Sequence, residues 1–366
     1  MAEPLAELRS EVAAFLAAEQ ATGRFAPRCD AWMRGVDRGF SQDLGRRGWL
    51  GITWPTAYGG RGQPHLARLV VTEELLRAGA PVASHWIAER QIGPAILRYG
   101  TEALKHELLP PIAAGELTFC LGMSESEAGS DLAAVRTVAQ RDGDGFRVTG
   151  TKIWTTNAHR AEFAYVLAVT DSAAGKAGRL SEFVVDMRTP EVEVRPIYDL
   201  AGEHHFNEVF FDGAFVPEGR VIGTVGRGWE QVTAQLAFER GGPERFMSTY
   251  PLLQALAAGA ERDASAAEAI GGLVARLRGL RTLAWETARR MDAGEAPAQA
   301  AAILKFLGTS YEQDLLETAR RLLEPGSEAT AAMLADVQLA MPGISLRGGS
   351  TEILAGIIAK DAEVAR

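Results

Sequence analysis

Cysteine is scarce in this chain: Cys29 and Cys120 are the only two in 366 residues. Neither belongs to a CxxC pair, so a disulfide framework or a structural zinc site has nothing to build on. Such usage fits a reducing cytosol, and a cytoplasmic location is the expectation. Long apolar runs are also missing. None approaches the ~20 residues that span a bilayer, so no membrane partner is expected. The stretch MAEPLAELRSEVAAFLAAEQ carries acids where a secretory leader has a basic region. Its Leu5, Leu8, Val12, Phe15 and Leu16 fall at helical spacing, which predicts an amphipathic helix. There is no excess of positive charge. With 38 basic against 47 acidic residues the formal net charge is −9, which argues against nucleic acid as the main partner. GxxxxGK[ST], HExxH and GxSxG are all absent, which removes the P-loop, zincin and hydrolase-elbow chemistries. Histidines number six. The adjacent His204 and His205 would point to opposite faces of a strand, so no shared metal is expected, and a loop is the expected setting.

What is present changes pattern twice. Residues 1–117 read as helical, with LARLVVTEELLRAG (66–79) at helical spacing before a glycine stop and WPTAYGGRGQP (54–64) as a turn-rich joint. Residues 118–222 read as short strands. VRTVAQRDGDGFRVTGTKIWTT alternates on both sides of Asp142-Gly143-Asp144-Gly145, a hairpin signal, and EFAYVLAV, SEFVVDM, VEVRPIYD and FNEVFFDGAFVP follow at short intervals. That predicts a small antiparallel barrel or sandwich. Residues 223–366 read as helical again, with an Ala-rich tract at 255–303 of the kind that forms bundles. An α–β–α order without βαβ alternation argues against a dinucleotide-binding Rossmann domain, and the glycines of 226–228 lack the fingerprint around them.

Two stretches are unusually polar for their setting. In MSESEAGSDL (123–132), the small residues Ala128, Gly129 and Ser130 follow a strand, and their N–H groups can line a phosphate, with Ser130 adding a hydroxyl. In KIWTTN (152–157), Trp154 beside Thr155 and Thr156 offers a flat apolar wall with hydroxyls next to it. That combination suits a flat heteroaromatic ring with polar edges. A capped strand end and a core tryptophan would produce the same letters. The two stretches together, in one small β-region between helical regions, are more specific than either alone.

Five segments carry a resemblance: GWLGITWPTAYGG (48–60), MSESEAGSD (123–131), GTKIWTTN (150–157), FNEVFFDGAFVP (206–217) and GRGWEQV (226–232). By their order and spacing the chain resembles the acyl-CoA dehydrogenase family of flavoenzymes over nearly its whole length. The resemblance implies an α+β fold: an N-terminal helical domain, a middle antiparallel β-barrel domain and a C-terminal four-helix bundle. It also implies FAD as cofactor and an acyl-CoA thioester as substrate. A base takes the α-proton while the β-hydrogen leaves as hydride to flavin N5. Residue by residue, Met123, Ser124, Gly129, Ser130, Trp154, Thr155 and Thr156 match the flavin-contacting segments. Ser124 matches the bond to the ring edge, Ser130 the pyrophosphate contact, Trp154 the aromatic wall and Thr156 the hydroxyl near N5. Ser130 and Arg240 are the candidate substrate contacts. Where the family pattern has Thr-Glu-Pro-Gly-Ala-Gly-Ser-Asp, this chain has Ser124-Glu125-Ser126-Glu127-Ala128-Gly129-Ser130-Asp131, and Glu127 in place of glycine departs from it.

The catalytic base departs further. In SLRGGSTEIL (345–354), Gly348 occupies the place of the glutamate that much of the family uses. A thioester α-proton still needs a base. A second family arrangement puts that glutamate ten residues beyond the residue closing a Gly-x-Gly-x segment and directly before an arginine. Here Trp229 leads to Glu239, followed by Arg240. Glu239 is the candidate base. A solvated helix carboxylate paired with Arg240 or Arg245 is the competing reading. Glu244 is the runner-up base if Gly241-Gly242-Pro243 breaks the helix and shifts the register. Gly348 keeps an N–H that can polarise the thioester carbonyl, and the absent side chains are expected to leave room for a bulky or branched acyl group.

Homo-oligomeric members bind FAD across an interface with Arg-x-x-Phe-Gly and Gln-x-x-Gly-Gly segments. Neither is found here: RRLLEPGSEATAAML (320–334) stands where the second is expected. The resemblance therefore implies a paralogous family chain as partner, in an α2β2 assembly like those acting on steroid side-chain thioesters, or else a second copy of this chain. An electron-transfer flavoprotein-like acceptor is implied as well. A catalytically silent partner subunit and a flavin oxidase or monooxygenase on the same fold stay open as alternatives.

Overall fold

The computed structural model describes residues 3–171, 173–175, 178–259, 264–323 and 327–364. The helices preceding the strands are α1 (Glu3–Ala21), α2 (Ala31–Arg34), α3 (Arg38–Arg46), α4 (His65–Arg77), α5 (Ala83–Ile87), α6 (Gly93–Tyr99) and α7 (Glu102–Ala113). The strands are β1 (Phe119–Gly122), β2 (Val138–Asp142), β3 (Gly145–Lys152), β4 (Phe163–Val169), β5 (Leu180–Asp186), β6 (Val192–Tyr198), β7 (His204–Pro217) and β8 (Val221–Ile222). Then come α8 (Gly228–Glu239), α9 (Tyr250–Gly259), α10 (Ala264–Asp292), α11 (Ala298–Leu322), α12 (Glu328–Ile344) and α13 (Thr351–Val364). The helix–strand–helix order is the one the sequence predicts. No described helix is long and apolar enough to cross a membrane.

The chain forms two compact units that cut across the three segments of the sequence pattern. One comprises 1–36, 63–83 and 237–366; the other comprises 37–62 and 84–236. The first is helical. Its α1 buries Val12, Phe15 and Leu16, and α4 stops at Gly79, whose φ of +59° suits glycine. Glu73 on α4 ties three helices together. Its buried carboxylate accepts from Arg9 Nη2 of α1 at 2.7 Å and from Arg281 Nε and Nη2 of α10 at 2.9 and 2.8 Å. Trp285 Nε1 adds a bond at 3.2 Å. Burial alone would raise the Glu73 carboxyl, but Arg281 and Arg9 outweigh it and hold it below the usual carboxylate range. Asp336 on α12 accepts from Arg34 at 2.9 and 3.0 Å, which joins α2 to α12.

The second unit is built on a sheet in the order β6-β7-β3-β2-β4-β5-β8, with β1 added to β4. The hairpin at 142–145 forms as its sequence predicts. Asp142 pairs with Gly145, and Gly143 at φ +56° takes the tight turn. Neighbours along the sheet are antiparallel except β2 with β4, and β1 also runs parallel to β4. Alternating residues of β3, β4, β5 and β7, among them Phe146, Val148, Val166, Phe183, Phe211 and Val216, share one apolar core. On the other face Phe119, Tyr165 and Val184 meet Ile96 of α6 and Leu108 and Ile112 of α7. The first turns of α8 belong to this unit too. Gln231 Nε2 donates at 2.7 Å to the buried Glu182 of β5, and Gln235 Nε2 donates at 3.2 Å. Burial pushes the Glu182 carboxyl up to about 7. Cys29 and Cys120 are both buried, which pushes each thiol up to about 12.

His204 and His205 open β7 rather than lying in a loop. The β6–β7 pairing continues to Tyr198 opposite His204, so the hairpin's own ladder claims them. They do alternate in burial, as successive strand residues should.

Candidate active site

The two polar stretches singled out in the sequence lie side by side in the β-unit. Lys152 ends β3 with a buried side chain, and its Nζ donates to Met123 O at 3.0 Å and to Glu125 Oε1 at 2.8 Å. Glu125 in turn accepts from the N–H groups of Arg136 and Thr137 at 2.7 and 2.9 Å. Burial pulls Lys152 down to about 8, with Glu125 opposing the shift. On Glu125 burial is outweighed by Lys152 and Thr137, and its carboxyl is held low. The pair is therefore ionised at neutral pH and fixes the start of the 123–131 segment. One residue on, Ile153 N–H donates to Ser124 O at 2.9 Å. Ser124 and Trp154 are thereby joined through adjacent backbone.

Trp154 is not a core residue. It is 56% exposed, with its backbone in the left-handed region at φ +59°. A bulky side chain there costs about 1–2 kcal/mol and persists only where the surroundings over-determine it. They do so on both sides. Ile153 is tied to Ser124. Thr155 N–H donates to Asn207 O at 3.0 Å, Asn207 Nδ2 donates to Thr155 O at 2.9 Å, and Asn157 N–H donates to His205 O at 2.7 Å. Phe206 sets its ring edge-on to the indole at 5.7 Å. Thr155 is buried, and its Oγ1 has no hydrogen-bond partner. Thr156 is half-buried.

In the other stretch, Glu125 and Ala128 exchange backbone bonds of 2.9 and 3.1 Å, closing a tight turn that leaves Gly129 and Ser130 exposed. A Cβ placed on Gly129 would meet no atom within 4 Å. The backbone there is open to approach from outside. An outward indole, a buried hydroxyl in want of a partner and an unobstructed Gly129-Ser130 backbone together fit the flat ring and phosphates of a flavin nucleotide.

The remaining candidates lie at or near the glycine pair of the helical unit. Glu239 closes α8, and its side chain lies outside the described residues. Arg240 Nε donates to Gly348 O at 3.1 Å. Gly348 and Gly349 both have left-handed backbone, at φ +74° and +99°. The expectation that the missing side chains leave room is not met at Gly348, because a Cβ there would sit 2.8 Å from Arg245 Nη1. The guanidinium occupies the space, 5.5 Å above the Trp32 ring. Two demands, the left-handed turn and the arginine, account for glycine at this position. Glu244, the runner-up base, is buried 3.9 Å from Arg245 Nε, and its carboxylate fills the place a side chain at 242 would take. The helix does break where Gly241-Gly242-Pro243 predicts: α8 ends at Glu239 and a short 3₁₀ turn spans Pro243–Arg245.

Sequence reasoning missed the residues that bring the stretches together: Lys152, Glu125 and Asn207. Lys152 and Glu125 stand inside quoted motifs, but 27 positions separate them. The signal for Asn207 was a polar letter at an inward position of an otherwise alternating strand.

A helical–β–helical scaffold that displays Trp154 outward and ties it to the segment of the open Gly129-Ser130 turn matches the acyl-CoA dehydrogenase type. Family models agree: the acyl-CoA dehydrogenase N-terminal domain matches residues 3–116, the middle domain 120–214 and the C-terminal domain 226–362. The chain belongs to the acyl-CoA dehydrogenase family, whose members are flavoprotein oxidoreductases acting on CH–CH bonds. It is similar to acyl-CoA dehydrogenase FadE26 of Mycobacterium tuberculosis, 32% identical over 93% of this chain and 87% of that one. It is also similar to acyl-CoA dehydrogenase IpdE1 of Mycobacterium tuberculosis, 39% identical over 56% of this chain and 53% of that one. The chain thus spans about half the length of IpdE1 in that match. Among solved structures, the Tcur3481-Tcur3483 steroid ACAD superposes with a TM-score of 0.87 at 27% identity, covering 99% of this chain and 97% of that one.

Proposed function

We propose that the chain is a subunit of an FAD-dependent dehydrogenase that introduces an α,β double bond into an acyl-CoA thioester, with a bulky, branched or steroid side-chain acyl group. The observation that carries this reading is Trp154, held outward against its backbone preference and tied to Ser124 through Ile153. Trp154, Thr155, Thr156, Met123 and Ser124 would hold the isoalloxazine, and Gly129 and Ser130 the pyrophosphate. The bound flavin supplies the hydride acceptor. Glu239 takes the α-proton. The Gly348 N–H donates to the thioester carbonyl and stabilises the charge that develops on it. Arg240 holds the Gly348 carbonyl, as its 3.1 Å bond supports. Ser130 and Arg240 also stand as the candidate substrate contacts.

The missing Arg-x-x-Phe-Gly and Gln-x-x-Gly-Gly segments support a paralogous partner that completes the flavin site, and the paired name of the Tcur3481-Tcur3483 steroid ACAD supports the same reading. An electron-transfer flavoprotein-like protein would take the electrons onward. The test is anaerobic bleaching of the flavin by branched and steroid side-chain acyl-CoA thioesters, with the chain purified alone and after co-expression with paralogous chains of its host. Expected are poor flavin occupancy alone and bleaching by a bulky thioester in the complex. Full, tight FAD occupancy in the isolated chain would sink the shared-site reading. A flavin-loaded complex that no thioester bleaches would sink the dehydrogenase.

A further inference from the structure

Asn207 is fully buried on β7, and every bond its side chain makes runs toward or supports the segment carrying Trp154. Its Nδ2 donates to the Thr155 carbonyl at 2.9 Å. Because that carbonyl can only accept, the amide is oriented: Oδ1 must point the other way. Two imidazoles meet it there, His204 Nε2 at 2.8 Å and His159 Nδ1 at 3.1 Å. A carbonyl oxygen has two lone pairs, so both rings present an N–H to it.

The tautomer of His159 then follows from a second contact. Arg160 Nε donates to His159 Nε2 at 2.8 Å, so Nε2 carries a lone pair and the single proton sits on Nδ1. His159 is neutral in this arrangement. It stacks on His204 with ring centroids 3.9 Å apart.

We propose that Asn207, oriented by His159 and His204, is a positioning residue for the flavin wall: it clamps both backbone groups of Thr155 and so holds Trp154 in its left-handed turn. The proposal rests on the reading of Trp154 as that wall. The physical need is plain. An exposed tryptophan at positive φ would relax to ordinary backbone if its neighbour were not fixed. Asn207 fixes that neighbour through its own carbonyl and its side chain at once, and the two rings keep the side chain from rotating.

The clamp is sensitive to acid. Protonating His159 removes the lone pair that Arg160 uses and places a cation beside Arg160 and against His204. The other charged or titratable groups near the pair are His205, the Asp199 carboxylate 3.5 Å from His205 Nδ1, Glu203 of the same hairpin loop, and Tyr198, whose ring lies 5.6 Å from that of His204. Burial first, then His204 and Arg160, hold His159 below the usual histidine value. Folding therefore favours the neutral ring. That contribution is complete above an ordinary histidine pKa of about 6.5 and is lost as pH falls below it.

The test uses the full chain and two readouts: hydrogen–deuterium exchange of the 153–158 peptide without flavin, and FAD affinity by fluorescence quenching. In Asn207→Ala the Thr155 and Asn157 amides should exchange about tenfold faster, the effect of removing one partner of a buried hydrogen bond. FAD affinity should fall by a similar factor. His159→Phe keeps the stacked ring but not the N–H, and it should give a smaller loss and flatten the dependence of exchange protection on pH below about 6.5. Unchanged protection of 153–158 overturns the positioning role. Faster exchange with unchanged FAD affinity leaves the clamp standing and overturns Trp154 as the wall. If Asn207→Ala does not fold, the partly exposed His159→Phe carries both readouts with the same outcomes.

Discussion

The turn at 152–157 in the β-unit and the turn at 347–350 in the helical unit both depend on left-handed backbone, and they obtain it in opposite ways. At the first, a tryptophan and an asparagine adopt it, Trp154 at φ +59° and Asn157 at +55°. Hydrogen bonds to Ser124, His205 and Asn207 offset the strain. At the second, Gly348 and Gly349 adopt it without a Cβ penalty, and the volume beside Gly348 goes to Arg245. Strain is kept where a side chain has to be displayed. It is avoided where glycine makes the turn. A turn built on a strained tryptophan points to a role for the ring, and a turn built on a glycine pair points to a role for the peptide groups.

The sharpest way to break this comparison is to ask which carboxylate does the chemistry, since no side chain at 348 can. Glu239→Gln should keep flavin content and thioester affinity yet slow anaerobic bleaching by about 10²–10⁴-fold, the usual worth of a positioned base. Glu244→Gln should bleach near the wild-type rate. Stopped-flow absorbance of the loaded complex separates them, and the reverse result moves the base to Glu244.

The two turns should also answer differently to substitution. Gly348→Ala meets both the left-handed backbone and the Arg245 guanidinium, and should destabilise the helical unit by about 1–3 kcal/mol. Trp154→Gly removes about 1–2 kcal/mol of strain and gives up an edge-on ring contact worth about 0.5–1.5 kcal/mol. Its stability should stay within about 1 kcal/mol of the parent, against the roughly 3–5 kcal/mol lost on truncating a core tryptophan. Calorimetry reads both, and flavin retention should fall in Trp154→Gly. A large loss of stability there would mean that the ring serves the fold.

The smallest effect concerns pH. Among the described residues, burial pushes two carboxyls up to about 7, Glu182 on β5 and Glu312 on α11. A raised carboxyl contributes stability in full below the unfolded value of about 4.3 and loses it as pH rises through about 7. Between those limits the melting temperature should fall with rising pH. Glu182→Gln and Glu312→Gln should each flatten the slope by a few degrees.

Local features were legible in the sequence. The Asp142–Gly145 hairpin, the strands after it, the glycine stop of α4 and the break after Glu239 all follow from neighbouring residues, because turn chemistry and periodicity act over a few positions. The 123–132 and 152–157 stretches stood out by composition alone. Their fastening did not. Lys152 reaches Glu125, and Asn207 reaches Thr155, across separations that only the register of the sheet decides. The glycine pair was readable as a place where a side chain is unwelcome. That the neighbour is Arg245 was not, because the residue filling a space belongs to packing.

The discontinuity of the helical unit sets an order of assembly. A ribosome delivers 1–36 and 63–83 first, yet the body of that unit, from 237 onward, emerges last. Glu73 can meet Arg9 early, but Arg281 and Trp285 are more than two hundred positions downstream. Until they arrive, α4 carries a carboxylate and an apolar surface with no permanent home. The β-unit, complete by 236, can close while the growing chain is still attached, whereas the N-terminal helices must wait. Such long-range closure is slow and leaves apolar surface open to association. Segments 1–36 and 63–83 are therefore the parts of the nascent chain that wait longest for their partners and have most need of a chaperone.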